Sequence, residues 1–290
     1  MIHVKNLSYS YTGDQRYAVK NISFDVQKGE IFGFLGPSGA GKSTTQGILT
    51  GLLLLQQGEA VVDGYDLHKE NKKRFNRIGM SFEQSNLYSK LTAEENLRYY
   101  AKLFDVPTRD PRALIDMVGL GGKESRKAGS FSKGQKHRLT FARSLLNNPA
   151  IWFLDEPTTG LDPAIAAQIK DIIRRECASG VTAFLTTHNM FIADELCDRV
   201  AFIVDGEIKL IDSPKALKLQ YGHKTIDVEY KQGDTVKKET LAPKKEQDKA
   251  RLHDILNNGE IITMHSKEAT LEEIFIKVTG KGLTADETVG

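Results

Sequence analysis

Between Gly36 and Thr44 the chain reads Gly-Pro-Ser-Gly-Ala-Gly-Lys-Ser-Thr, and between Ile151 and Glu156 it reads Ile-Trp-Phe-Leu-Asp-Glu. Each segment suits one half of phosphate chemistry. A nucleotide's phosphates need several donors in a small space, and the successive backbone N–H groups of a Gly-rich loop supply them. Gly36, Gly39 and Gly41 let the backbone come close, with Pro37, Ser38 and Ala40 completing the loop. Lys42 would set its ammonium on the β- and γ-phosphates of ATP, and Ser43 its hydroxyl on Mg2+, with Thr44 beside it. The second segment is an apolar strand delivering two acids at its carboxyl end, where open α/β sheets bind ligands. Asp155 is the natural Mg2+ partner, through water, because Mg2+ keeps much of its hydration. Glu156 would orient or deprotonate the attacking water. Alone, Asp-Glu-Pro could merely open a turn. Paired with the loop, it reads as catalytic.

Such groups work only if the fold aims them. Ile22, Phe24 and Val26 alternate with polar residues, as a half-buried strand does. Ile31–Leu35 is a compact apolar run ending at the Gly-rich loop, and Thr44–Leu53 reads as the following helix, the context that a phosphate loop requires. Ile151–Leu154 and Val181–Leu185 are nearly continuous apolar runs, expected of parallel strands buried on both faces. Ala201–Val204 with Asp205-Gly206 reads as a strand entering a hairpin. The pattern from Thr92 to Leu146 is mostly helical. Residues 1–221 therefore read as one α/β domain with a helical subdomain over about 92–146. Residues 222–290 read as a small C-terminal α/β appendage. There Ile226, Val228 and Tyr230 alternate as a strand, Ile261–Met264 offers another, and Lys231–Arg251 reads as a solvated, lysine-rich surface. Thr270-Leu271-Glu272-Glu273 is a capping box, and Leu271, Ile274, Phe275 and Val278 line one face of the helix behind it, packed on its own small sheet or on the larger domain.

Composition narrows the class further. A formal net charge of +2 argues against a dedicated nucleic-acid binder, so no nucleic-acid partner is expected. No apolar run approaches the roughly 18 residues of a membrane span, and the N-terminus lacks a signal-peptide pattern. Cys177 and Cys197 suit a reducing interior as small buried apolar residues. The expectation is a cytoplasmic protein that borrows any membrane component from another chain.

Phe131-Ser132-Lys133-Gly134-Gln135 resembles the signature of the ATP-binding cassette (ABC) family, usually written L-S-G-G-Q, at the start of a helix. The resemblance spans about the first 220 residues. It implies a P-loop NTPase cassette: a mixed sheet core, an antiparallel β subdomain and a helical subdomain. In that family the signature crosses to a second subunit and grips its γ-phosphate, so Ser132, Lys133, Gly134 and Gln135 would serve ATP in trans. Lys133, where the pattern has Gly, must point away from the phosphates or add charge beside them. By the same resemblance Gln84 would touch Mg2+ and sense the membrane partner, Asp162 would lie at the dimer seam, His188 would contact the γ-phosphate, and Tyr11 would stack on adenine, a task open also to Tyr9 or Tyr17.

The resemblance implies an ATPase that drives transport, with ATP and Mg2+ as cofactors, on the inner face of the cell membrane. Its implied partners are membrane-spanning permease subunits and a second ATP-binding subunit, a homodimer mate or a paralogue. A soluble DNA-repair or chromosome ATPase of the superfamily would carry a long coiled coil between phosphate loop and signature, and a ribosome-acting factor would carry two cassettes. Neither fits. The Glu83-Gln84 context, Lys133 and the ending Leu271-Glu272-Glu273-Ile274-Phe275 resemble the ABC-2 drug- and antibiotic-export ATPases. Export is the expected direction, with an importer subunit or a soluble non-transport ATPase as the alternatives.

Overall fold

A computed structural model describes residues 1–14, 16–222, 225–233 and 235–282. The last part of the expected appendage, 283–290, lies outside the described residues.

The chain opens with two antiparallel strands, β1 (Ile2–Tyr9) and β2 (Val19–Val26). The apolar run Ile31–Leu35 forms β3 and enters the glycine loop, behind which α1 (Lys42–Thr50) begins. This helix starts two residues before the expected Thr44, so Lys42 and Ser43 sit in its first turn. β4 (Gln57–Val62) and β5 (Tyr65–Asp66) extend the first sheet to the order β2-β1-β4-β5. After β6 (Ile78–Ser81) comes the helical stretch: α2 (Ala93–Ala101), α3 (Pro111–Met117) and α4 (Lys133–Arg143). Then follow β7 (Ile151–Asp155), α5 (Pro163–Ala178), β8 (Thr182–Thr187), α6 (Met190–Leu196), the hairpin β9 (Arg199–Val204) and β10 (Glu207–Asp212), and α7 (Pro214–Tyr221).

The central sheet runs β10-β9-β3-β8-β7-β6, parallel throughout except for the edge pairing of β10 with β9. Its strands are apolar on both faces because both are covered. Phe32, Phe34, Phe153 and Phe184 point toward α1 and the antiparallel sheet, where Phe24 joins them with ring centroids 5.4–6.0 Å apart. Leu35, Trp152, Leu154, Leu185 and Phe202 point the other way, into a core shared with helices α4 to α6. The expected mixed sheet, antiparallel subdomain and helical subdomain are all present.

Beyond α7 lie β11 (Thr225–Gln232), β12 (Thr235–Leu241), α8 (Glu246–Asn258), β13 (Glu260–Lys267) and α9 (Leu271–Thr279). The sheet order is β12-β11-β13, with Val228, Tyr230, Leu241 and Ile255 forming a small core of their own. The stretch expected as solvated surface thus folds into β12 and α8. Both are largely exposed, which is why no apolar period marks them. The capping box at Thr270 is formed, its hydroxyl accepting from Glu273 N and Glu273 Oε2 accepting from Thr270 N. The apolar stripe of α9 does not cover the small sheet. Leu271, Ile274 and Phe275 are buried in the core beside α6 and α7, with the Phe275 ring edge-on to Phe202 at 5.1 Å.

Candidate active site

The glycine loop wraps the start of α1 so tightly that two positions admit no side chain. A Cβ on Gly36 would meet the Ile203 carbonyl at 2.1 Å, and Gly41, at φ 107°, would meet the Ala18 carbonyl at 2.6 Å. Lys42 Nζ donates to the loop's own carbonyls, Gly36 O at 2.7 Å and Pro37 O at 2.9 Å. Burial lowers its pKa, while the negative charges of Glu156, Asp155 and Glu83 oppose that shift. An ammonium held this way can hand its donors to phosphate oxygens placed over the loop. Ser38, Gly39, Gly41, Lys42, Ser43 and Thr44 line a cleft of about 500 Å³. Ala40 is buried beneath it. Tyr11 stands at the cleft wall, 65% exposed, its hydroxyl 3.1 Å from Thr44 Oγ1, whereas Tyr9 is buried.

The opposite wall is the end of β7. Parallel pairing sets Asp155 beside Thr186 of β8, and Thr186 Oγ1 lies 2.6 Å from Asp155 Oδ1. Burial raises the Asp155 pKa above the usual carboxylate range, and the Thr186 hydrogen bond works against that rise. Glu156 is buried and adopts φ 46°, the left-handed region that non-glycine residues rarely occupy. Its carboxylate is fixed from several sides: Oε2 accepts from Thr187 Oγ1 at 2.8 Å and Thr159 Oγ1 at 3.0 Å, and Oε1 accepts from His188 N at 2.9 Å. His188 Nδ1 lies 2.6 Å from the same Oε1, with the imidazole more than half exposed. A fixed, buried carboxylate against an imidazole can position and polarise a water.

Among the described residues no group of three or more His, Cys, Asp or Glu could hold a metal ion unaided. The cleft does offer hard oxygens at Ser43, Asp155 and Glu83. These fit an Mg2+ whose remaining ligands are phosphate oxygens and water.

Other expected residues lie elsewhere. Ser132 caps α4, its Oγ accepting from Gln135 N at 3.2 Å while Ser132 N donates to Gln135 Oε1 at 3.1 Å. None of Ser132, Lys133, Gly134 and Gln135 is among the residues lining the cleft of their own chain. Asp162 caps α5 by accepting from Ile165 N at 3.0 Å. In the loop after β6 both Glu83 and Gln84 are exposed, and Glu83 is among the residues lining the cleft while Gln84, expected to touch Mg2+, is not. Sequence reading also missed Thr186, Thr187 and Thr159. Only the run Thr186-Thr187-His188 after an apolar strand hinted at the first two.

A glycine loop at a helix start, facing two acids at the neighbouring strand's end, defines a P-loop protein built to bind and hydrolyse ATP. The comparisons carry this further. The ABC transporter family matches residues 19–159. A fluoroquinolones export ATP-binding protein of Mycobacterium tuberculosis is 48% identical over 98% of this chain and 95% of its own length. The linearmycin resistance ATP-binding protein LnrL of Bacillus subtilis is 34% identical over 78% of this chain and 73% of its own. Among solved structures, the ATP-binding subunit of an ABC transporter superposes with a TM-score of 0.70 at 27% identity, covering 76% of this chain and 93% of that one. A cassette solved as a dimer in a post-hydrolysis state, with ADP and Pi, superposes at 0.67 and 28% identity over 73% and 98%. The chain belongs to the ABC transporter family. It is an ATP-binding, ATP-hydrolysing subunit, and no helix among the described residues is long and apolar enough to cross a membrane.

Proposed function

We propose that this chain powers drug export through separate membrane-spanning subunits. The observation that carries the reading is the pairing of the Lys42 loop with a Glu156 carboxylate held by Thr187, Thr159 and His188. In this reading the loop from Gly36 to Thr44 binds the phosphates of ATP, Tyr11 meets the base, and Ser43 and Asp155 hold Mg2+. Glu156 orients the attacking water, with His188 beside it. Ser132 to Gln135 face outward at a helix N-terminus, which favours phosphate. They complete the site of a second ATP-binding subunit, a like copy or a paralogue, with Asp162 near the seam. The relatives' names, fluoroquinolone export and linearmycin resistance, support drugs as the cargo.

The membrane-spanning subunit would dock in an apolar groove lined by Leu52, Phe75, Met80, Phe82, Tyr100 and Phe104, on the inner face of the membrane. Residues 1–221 form the ATP-binding domain in this reading, and 222–290 an accessory unit whose last helix straps back onto it. Co-expression with candidate membrane-spanning subunits tests the assignment. The chain should co-purify with one of them, and the pair should lower fluoroquinolone accumulation in cells, a protection lost with Glu156→Gln. Equal accumulation with and without the active pair would refute drug export.

A further inference from the structure

We infer that Gln46 is a positioning residue: from α1 it donates its side-chain amide to Thr186 and so ties the helix bearing Lys42 and Ser43 to Asp155. This rests on reading the cleft as the Mg–ATP site. Gln46 follows Ser43 by three residues and Lys42 by four, so it lies one turn behind them on the same side of α1. It is 2% exposed, and Thr186, which it meets, is wholly buried. Gln46 Oε1 lies 2.9 Å from Thr186 Oγ1, and Thr186 Oγ1 lies 2.6 Å from Asp155 Oδ1. The other end of the amide, Gln46 Nε2, is buried with no hydrogen-bond partner among the described residues.

The Thr186 hydroxyl carries one proton, and two acceptors compete for it. The Asp155 carboxylate wins, because its contact is the shorter one and is charge-assisted. Gln46 Oε1 is then left against an oxygen lone pair. A half-turn of the amide removes that conflict and gives an unpartnered N–H its acceptor, because Nε2 then donates to Thr186 Oγ1. Donors now run in one direction, from Gln46 to Thr186 to Asp155, and each polarises the next. With a lone pair engaged by the amide, the Thr186 proton stays on Asp155 rather than turning to Leu154 O, 3.4 Å away. The chain of bonds crosses from α1 through β8 to β7. It therefore fixes the spacing of Ser43 and Asp155, the two side chains read as holding the cation.

The test is calorimetric titration of the full chain with a non-hydrolysable ATP analogue, once in EDTA and once in Mn2+. Gln46→Met keeps the length of the side chain and cannot donate. Its Mn2+-dependent gain in affinity should fall on the order of tenfold, the loss expected when the partner behind a metal ligand is removed, while affinity in EDTA holds. Thr186→Val should lose as much, and Thr186→Ser, which keeps the hydroxyl, should restore most of the gain. Combining Gln46→Met with Thr186→Val should be no worse than Thr186→Val alone, since both break one chain of bonds. A wild-type gain in Gln46→Met, or losses that add in the double variant, overturns the inference. So does an equal fall of Gln46→Met in EDTA and in Mn2+, the mark of a residue that only packs. If the wild-type chain binds no analogue in either condition, the reading of the cleft itself has failed.

Discussion

The C-terminal helix α9 is the place where the sequence reading and the structure imply different experiments. An appendage free of catalytic groups suggests that a chain ending at Gly222 keeps a working cassette. Yet Leu271, Ile274 and Phe275 are 0–1% exposed and belong to the same core as Phe202, Leu217 and Leu196. Fully burying such side chains stabilises by about 1.5–3 kcal/mol each, so losing all three forfeits roughly 5–9 kcal/mol. That rivals the whole stability of an ordinary domain, about 5–15 kcal/mol. Phe275→Ala alone should cost about 3–5 kcal/mol. Trp152, the single tryptophan, is fully buried in that core and reports its loss by fluorescence. In urea the Phe275→Ala midpoint should fall by roughly 1 M or more. Ile262→Ala on the exposed β13 should stay within about 0.5 kcal/mol of wild type. The chain ending at Gly222 should unfold earlier still, or aggregate. A wild-type midpoint for either Phe275→Ala or that shortened chain would refute the packing argument.

Glu156→Gln should lower ATP turnover by a factor of about 10² to 10⁴ while ATP binding survives; near-normal hydrolysis by the purified variant would remove Glu156 from catalysis. Lys42→Ala should weaken ATP binding on the order of tenfold to a hundredfold, the loss of charge-assisted hydrogen bonds, and an unchanged Kd by titration contradicts the loop assignment. With Mg2+ and ATP, Glu156→Gln should sediment as a dimer that is absent without nucleotide; a strictly monomeric result at high concentration counts against the trans role of Ser132 to Gln135. Burial pushes the Cys177 thiol up to about 12, and Cys197 is raised as well. Both should resist alkylation at pH 8 until the chain unfolds. Because the folded state holds these protons more tightly, their contribution to stability falls as pH rises above the ordinary thiol range near 9. Rapid native labelling would refute the burial.

What the sequence made legible was whatever chemistry lies on contiguous residues. The loop from Gly36 to Thr44 and the pair Asp155-Glu156 are each written in one stretch, with an apolar strand leading in. Their supports are not. Thr186 meets Asp155 only because β7 and β8 pair in parallel at that register, and Thr187 reaches Glu156 from the same strand. Locally only their place between an apolar strand and His188 hints at either threonine. Glu83 and Gln84 are equally polar neighbours in a loop, so only the chain's path decides which one faces the cleft. β12 and α8 escaped because a small core of Val228, Tyr230, Leu241 and Ile255 leaves most of their positions exposed. The stripe of α9 was plain in sequence, but its partner was not, since an amphipathic period names a face and never what covers it.

The same loop after β6 also explains how the two candidate sites can be linked. Phe82 lines the apolar groove proposed for the membrane-spanning subunit, and Glu83 lines the nucleotide cleft. Adjacent residues of one chain thus face two different ligands. β6, which precedes them, is paired with β7, whereas the residues after them lead into α2 and the helical subdomain. If Glu83 moves as the cleft fills, the peptide it shares with Phe82 must move too, and the groove wall moves with it. Reciprocity then requires that whatever fills the groove in one position also favour one state of the cleft. Linkage of this kind needs differential contacts at both ends, and one aromatic and one acid on consecutive residues supply them. A membrane partner bound at Phe82 should therefore change the affinity for Mn2+-loaded nucleotide in the wild-type chain. That change should shrink in Glu83→Gln, which keeps the groove and loses the charge. An equal effect of the partner in both chains would mean that the coupling runs by another route.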